Sequence, residues 1–330
     1  MTLPEFWFLL IGFMFASYFM LEGFDFGVGA LLPVLGKDDI GRRVMINTIG
    51  PVWDANETWL VLGIGLLLAA FPLAHGVVLG ALYLPVAGML VGLMLRGVAI
   101  EFRVKADGWH RQLWNWLFWF GSFAASFAQG LMLGRYVTGF APGFGYWVFA
   151  MLTGASLCGG YVLLGATWLI LRTEGELQKK ATAWARWGLL WVALGVALVS
   201  AATPLASATV RAKWFDFPET LPLMVLPLAS VLAWIWVWRS CGRLRESQRK
   251  GEWVPFAGSV AIFLLAFLGL AYSLFPFVVI DRLTIWEAAA HPSALWMLFY
   301  GTAAVLPFLA AYSVFSYRVF GGKVRALTYD

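Results

Sequence analysis

The sequence predicts an all-α polytopic membrane protein with about nine transmembrane helices. Of its 330 residues, 61% are hydrophobic and only 12% are charged, and the mean hydropathy is +0.79. A soluble domain normally keeps about 25% of its residues charged to cover its surface. Here, continuous apolar runs of about 20 residues recur from end to end, long enough to cross a hydrocarbon core of about 30 Å and unlike the alternating strands of a β-barrel. A single membrane domain over residues 1–330 is therefore expected.

The apolar runs and the breaks between them predict where the spans lie. The nine predicted spans cover residues 6–35, 44–71, 77–102, 113–137, 144–171, 187–206, 221–238, 254–279 and 294–320. The loops between them are short, so consecutive spans should pack as antiparallel neighbours.

The basic residues predict the orientation of the spans. Of the 23 Lys and Arg residues, 18 lie in or beside the loops 36–43, 103–112, 172–186 and 239–253 or at the C-terminal end. The opposite side carries four, and the remaining one, Arg96, lies inside the third span. Positively charged loops stay on the cytoplasmic side of a membrane. The N-terminus is therefore expected in the periplasm and the C-terminus in the cytoplasm.

Four acidic residues lie inside the first two spans. Asp25 and Asp54 are equally distant from the centre of the connection between these spans, and the same holds for Glu22 and Glu57. In a hairpin of continuous helices each pair sits at one height, and Asp54, 11 residues past Arg43, is expected about 16 Å into the membrane. Acids three residues apart share a helix face, so the sequence predicts a stacked acidic strip. It does not determine whether the two faces point at each other.

Buried charges of this kind need a partner or a function. An ionised carboxylate at the centre of a membrane helix costs about 2.5–3.5 kcal/mol on insertion scales. Arg96 is the only basic residue well inside a span, with Glu101 lower on the same helix, so we expect Arg96 to be the counter-charge. Two interpretations stay open: a site that carries protons, or a structural network of Asp54, Asn56, Glu57 and Arg96 that fixes helix packing.

The chain itself shows no site for a redox cofactor. Its three histidines, His75, His110 and His291, fall at span ends or in loops, whereas an axial heme ligand is expected within a span. The two cysteines, Cys158 and Cys241, lie far apart in the sequence and suggest neither a disulfide nor a metal site. No metal, heme or nucleotide is therefore expected to bind this chain by itself.

Five segments distributed along the chain match one family. They are GFDFGVGALLP (23–33), GRRVMINTIGPVWDANETWLVL (41–62), LRGVAIEFR (95–103), GATWLILRTEGEL (165–177) and LFPFVVIDRLTIWEAAA (274–290). Together they resemble subunit II of cytochrome bd-type quinol oxidases, in the family's order and from the first span to the ninth. The W-D-x-N-E motif at 53–57 is specific, whereas the connection between spans 6 and 7 is brief for this family.

The resemblance implies two four-helix bundles, here about residues 6–137 and 144–279, plus an extra helix at about 294–320. It also implies a heterodimer, in the bacterial cytoplasmic (inner) membrane, with a larger subunit I that carries hemes b, heme d and the quinol site. That complex is expected to oxidise quinol, to reduce dioxygen to water with four electrons, and to take protons from the cytoplasm, which generates proton-motive force. A small single-span third subunit and a structural quinone or lipid stay open, and no nucleic-acid partner is expected.

The resemblance also assigns expected roles to single residues. Asp54 matches a family aspartate on a proton path at the subunit interface, and Asp25 matches a second acid in the same neighbourhood. Trp59 matches a residue near an oxygen route. Arg96 and Glu101 match a family arginine and the acid just below it, which is Asp in some members. With the acids found above, the expected proton path comprises Asp54, Asp25, Glu57 and Glu22.

Two other functions stay open from the sequence. A proton-coupled membrane transporter would use the same acids, but it should show inverted repeats with broken helices, and no convincing repeat is present. A purely structural scaffold for a cofactor-bearing partner differs from the oxidase subunit only in whether the acids matter for turnover.

Overall fold

The protein is built almost entirely from helices. The computed structural model describes residues 1–215, 220–245 and 251–324; the predicted cytoplasmic loop 239–253, with Ser247, lies partly outside them. The helices are α1 (Leu3–Leu35), α2 (Asp39–Asn47), α3 (Trp53–Ala70), α4 (Pro72–Ala81), α5 (Tyr83–Lys105), α6 (Gly108–Val137), α7 (Phe144–Arg172), α8 (Gly175–Ala206), α9 (Ala208–Phe215), α10 (Val225–Arg245), α11 (Trp253–Leu274), α12 (Ile285–Ala288) and α13 (Pro292–Val319). Within these residues, eight helices are long and apolar enough to cross a membrane: α1, α5, α6, α7, α8, α10, α11 and α13.

The predicted second span, residues 44–71, is not one helix, so that prediction was wrong. α2 ends at Asn47, residues 48–52 form turns, and α3 begins at Trp53. Pro51 explains the break, because proline lacks a backbone N–H and disfavours a helical residue before it. Asp54 consequently lies in the first turn of α3, and its expected depth, which assumed a continuous helix, has no support.

α3 decides whether the protein has eight or nine spans. It has 18 residues, and it is not among the eight apolar helices because its first turns carry Asp54, Asn56 and Glu57. A count of nine, and with it the side on which each terminus lies, stays a prediction.

The third predicted span is divided between two helices, and the eighth is helical over only part of its length. The run 77–102 is divided between α4 and α5 because Pro85 cannot donate to the carbonyl of Ala81, where α4 ends. The run 254–279 leaves the helix at Leu274, just before Pro276. The chain then forms a short antiparallel pair, β1 (Phe277–Val279) with β2 (Leu283–Thr284).

α1 lies at the centre of the helix assembly. It packs against α3, α6 and α7, and every residue from 22 to 29 is buried. At its crossing with α7 a Cβ on Gly27 would lie 1.8 Å from the carbonyl oxygen of Tyr161, so glycine is required for this close approach. The centre of α1, with Glu22 and Asp25, therefore faces protein on all sides.

The remaining helices pack around α1 and on one another. α7, α8, α10 and α11 contact one another in a closed ring, α6 packs on both α5 and α7, and α13 packs on α3. The division into two bundles and an extra helix stays a prediction, because α1 packs as closely along α7 as along its own neighbours.

Candidate functional site

Arg96 of α5 is the centre of the candidate site. Its side chain is fully buried, at 0% exposed, and its guanidinium is paired with the carboxylates of Glu22 on α1 and, at 3.5 Å, Glu57 on α3. The guanidinium carbon also lies 4.9 Å from the ring centre of Phe26 and 5.7 Å from that of Trp53. Aromatic faces at this distance stabilise a desolvated cation. Three helices thus converge on one guanidinium.

A second group of polar side chains continues the site towards α13. Asn56 donates from Nδ2 to Asp25 Oδ2 at 2.8 Å, and Tyr317 donates from its hydroxyl to Asn56 Oδ1 at 2.6 Å. The amide of Asn56 uses both its donor and its acceptor in this way. These bonds tie α1, α3 and α13 together and fix the direction in which the Asp25 carboxylate points.

A third chain of hydrogen bonds leads from the site into α6 and α7. Tyr161 donates to Gln129 Oε1 at 2.6 Å, and Gln129 Nε2 donates to the hydroxyl oxygen of Tyr18 at 2.5 Å. All three side chains are buried. Tyr18 lies one turn before Glu22 on the same face of α1, although no hydrogen bond joins its hydroxyl to either oxygen of Glu22.

The charges of the site do not balance. One guanidinium accompanies the carboxyl groups of Glu22, Asp25 and Glu57, of which Glu22 and Asp25 are 0% exposed. Within the described residues, Glu22 Oε2, Asp25 Oδ1 and two nitrogens of Arg96, Nε and Nη1, are buried without a hydrogen-bond partner. Burying an unpaired charge is costly, and the one guanidinium cannot compensate the buried carboxylates of both Glu22 and Asp25 while it also contacts Glu57. The cluster therefore holds more carboxyl groups than cations.

Asp54 lies apart from this cluster. It is exposed on the surface of the subunit, forms no ion pair among the residues that the structure describes, and shares its side of α3 with Thr58, Val61, Gly65 and Leu68. Positions three residues apart differ by about 60° around a helix, and the boundary between the buried and exposed faces of α3 falls between Asp54 and Glu57. The structure therefore brings together Glu22, Asp25 and Glu57 but leaves Asp54 outside.

The other two predicted residues also differ in position. Trp59 is buried at 5% exposed, donates from Nε1 to Ser313 Oγ at 3.2 Å, and meets the ring of Phe13 edge to face at 5.9 Å. Glu101 is exposed. It comes five residues after Arg96, more than a full turn, so it faces away from the buried side of α5. The expectation of Glu101 as a buried charge partner is corrected accordingly.

Sequence reasoning missed several members of the site. Gln129 could have been noticed as an amide inside an apolar span. Tyr18, Tyr161 and Tyr317 carry no such signal, because tyrosine is common at many depths of membrane helices. In the described ranges, no group of three or more His, Cys, Asp or Glu side chains could hold a metal ion.

The family model and the relatives that match this chain carry closely similar descriptions. A family model described as cytochrome bd terminal oxidase subunit II matches residues 3–320. A relative named cytochrome bd ubiquinol oxidase subunit 2, from Bacillus subtilis, is 33% identical over 342 residues, covering 98% of this chain and 97% of the relative. One named cytochrome bd-I ubiquinol oxidase subunit 2, from Escherichia coli K12, is 28% identical over 364 residues, covering 96% and 94%.

The fold has a counterpart among solved structures. A chain of the bd oxidase from Geobacillus thermodenitrificans superimposes with a TM-score of 0.75 at 17% identity, over 97% of this chain and 99% of that one. At this level of identity the likeness concerns the fold alone, and it supports the helical membrane architecture described above.

Proposed function

Because this chain belongs to the cytochrome bd terminal oxidase subunit II family, we propose that it is the heme-free subunit that delivers protons within its complex. As a member of this family, the chain is a multi-pass membrane subunit of a quinol oxidase, with a subunit I as its partner. The proposal adds that hemes b and heme d lie in that partner. It adds that quinol oxidation drives four-electron reduction of dioxygen to water, and that the protons come from the cytoplasm and so generate proton-motive force.

The observation that carries the proposal is the charge imbalance around Arg96. A network needed only for packing is best satisfied with equal charges or none, since excess buried charge costs stability. Here Glu22 and Glu57 both contact one guanidinium, and a third carboxyl group, that of Asp25, lies beside them on Asn56, with Glu22 and Asp25 fully buried. Ionisable groups inside membrane helices commonly mark proton pathways.

Glu57 connects the buried cluster to the surface. Its side chain is 28% exposed while its carboxylate contacts Arg96, and Asp54 stands one turn earlier on the exposed side of α3. Asp54 forms no ion pair among the described residues, and the resemblance assigns its family counterpart to the subunit interface. We therefore place the partner subunit over the exposed side of α3, with Asp54 in the interface. Protons would pass between Asp54 and the Glu57, Glu22 and Asp25 group.

Trp59 is proposed to border the route of dioxygen. It is buried between α1 and α13, with apolar contacts to Phe13, and an uncharged, poorly hydrated molecule partitions into such surroundings. Its single polar atom is bound by Ser313, which leaves an apolar aromatic face.

Purification tests the function as a whole. A tagged copy of this chain, extracted from membranes, is expected to co-purify with a larger heme-bearing chain and to support quinol-dependent oxygen uptake. Preparations from cells lacking the partner gene serve as the control and should show no uptake. A heme-free preparation that transports an ion or solute when reconstituted would contradict the oxidase proposal and favour the transporter. A complex that retains full turnover with all four acids replaced by their amides would favour the scaffold.

Labelling of introduced cysteines tests the orientation. Lys37→Cys, in the exposed connection before α2, is expected to resist a membrane-impermeant maleimide in intact cells, because its loop is predicted to be cytoplasmic. Pro142→Cys, in the exposed connection between α6 and α7, is expected to react. Both should react after the cells are broken, and the unmodified chain gives the background of Cys158 and Cys241. Ready labelling of Lys37→Cys in intact cells would reverse the proposed orientation.

A further inference from the structure

One face of α10 forms an open groove that the function above does not use. The groove has a volume of about 670 Å³. Its lining residues follow one another at helical spacing, so they share one side of a single helix. They are Leu232, Ile235, Trp236, Arg239, Gly242 and Arg243, here called the α10 groove.

The groove is basic at one end. Arg239 and Arg243 are exposed and lie one turn apart, and neither forms an ion pair with any of the described residues. Arg243 is steadied by a hydrogen bond from Nη2 to Ser240 Oγ at 3.3 Å. A Cβ on Gly242 would meet nothing within 4 Å, which leaves space between the two guanidiniums. Like charges four residues apart on a helix repel each other, so an anion bound between them would relieve this repulsion.

The groove is apolar at the other end. Leu232 is 59% exposed and Trp236 is 42% exposed, although both lie within a helix apolar enough to span a membrane. The Trp236 ring is held edge to face against Trp253 of α11, with ring centres 6.3 Å apart. An occupant of the whole groove must therefore combine a negatively charged head with an apolar tail.

We propose that the α10 groove binds an anionic phospholipid. The phosphate lies between Arg239 and Arg243, where guanidinium groups can bind its oxygens in pairs, and an acyl chain lies along Leu232, Ile235 and Trp236. A neutral quinone could accept hydrogen bonds from the arginines but brings no charge to compensate theirs, and a free phosphate would gain nothing from the apolar half. The basic end is on the side of the positively charged loops, since Glu252, just beyond α10, pairs with Lys323 near the C-terminus. Anionic lipids concentrate in the cytoplasmic leaflet that such loops face.

The test compares lipid retention by the intact complex in phosphatidylcholine nanodiscs that contain a minor fraction of phosphatidylglycerol. The variant carries Arg239→Gln and Arg243→Gln. Its matched control carries Arg43→Gln and Lys105→Gln, two exposed basic residues on α2 and α5. Retained phosphatidylglycerol is counted by native mass spectrometry, and heme content confirms that each variant assembles.

We expect the α10 variant to bind phosphatidylglycerol about 30-fold more weakly, which is about 2 kcal/mol at about 1 kcal/mol per basic residue. The control should retain it, and inorganic phosphate should not displace it. Equal losses in the variant and the control would show that only the overall positive charge matters and would overturn the site. Displacement by inorganic phosphate alone, or undiminished retention by the variant, would overturn it as well.

Discussion

The Arg96→Leu variant is expected to lose the assembled oxidase from the membrane. Arg96 is fully buried and is the cation that Glu22 and Glu57 contact. Its removal leaves these carboxylates without a counter-charge in a low-dielectric interior, and breaking a buried pair typically costs about 3–5 kcal/mol. Because natural proteins are stable by only about 5–15 kcal/mol, we expect loss of heme absorption from isolated membranes rather than a purely kinetic defect.

Two further variants make this prediction specific to charge. Arg43→Leu removes an exposed arginine and should leave heme absorption unchanged. The double variant Arg96→Leu with Glu22→Gln removes the cation together with its buried partner, so it should recover part of the assembly. A stable, heme-loaded Arg96→Leu complex with normal turnover would show that the carboxyl groups need no counter-charge there. A double variant worse than Arg96→Leu alone would show that side-chain shape, and not charge, is what matters.

The Asp54→Asn variant is expected to assemble with its hemes but to turn over at least about tenfold more slowly, which is about 1.4 kcal/mol on the limiting step. Asparagine keeps the size and much of the hydrogen bonding of aspartate while removing the titrating group. Asp54 is exposed and unpaired within the described residues, so the fold of this chain should tolerate the change. Asp54→Glu keeps the acid at a shifted position and should retain part of the rate.

Oxygen consumption per heme, measured side by side, is the test for these variants. Glu174→Gln makes the same chemical change at an exposed acid between α7 and α8 and should leave the rate unchanged. The packing interpretation expects the opposite order: Asn would match the parent and Glu would be the poorer replacement. If that order is found, the proton-path role of Asp54 is wrong and Asp54 acts only as a contact of the subunit interface.

The sequence pointed to the cluster around Arg96 without the structure, and the reason is electrostatic. A cation deep in a span must be compensated, and Arg96 is the only basic residue well inside one. It was expected to compensate the acids of the first two spans, and in the structure Arg96 pairs with Glu22 and Glu57. Glu101, expected as a second charge partner, is exposed instead, since proximity in sequence does not determine which side of a helix a residue occupies.

The partners of Asp25 could not have been found in this way. Asn56 binds it from α3, and Tyr317, which binds Asn56, is 261 residues further along the chain. Asn56 was expected in a structural network, but nothing in the sequence indicates that it binds Asp25 or that Tyr317 binds it. The same is true of Tyr18 and Tyr161, which Gln129 of α6 joins across α1 and α7.

The sequence by itself determined the class of the protein, most of its spans and its family. These are properties of local composition, because lipid requires about 20 apolar residues for each crossing and tolerates few charges. Only the tertiary structure decided which of the acids share a site. Pro51 breaks the second span, and the packing of α3 against α1 turns Glu57 inwards and Asp54 outwards. Whether a side chain points inwards or outwards depends on which other helices cover its own helix, and the residues that decide this are distributed over the whole chain.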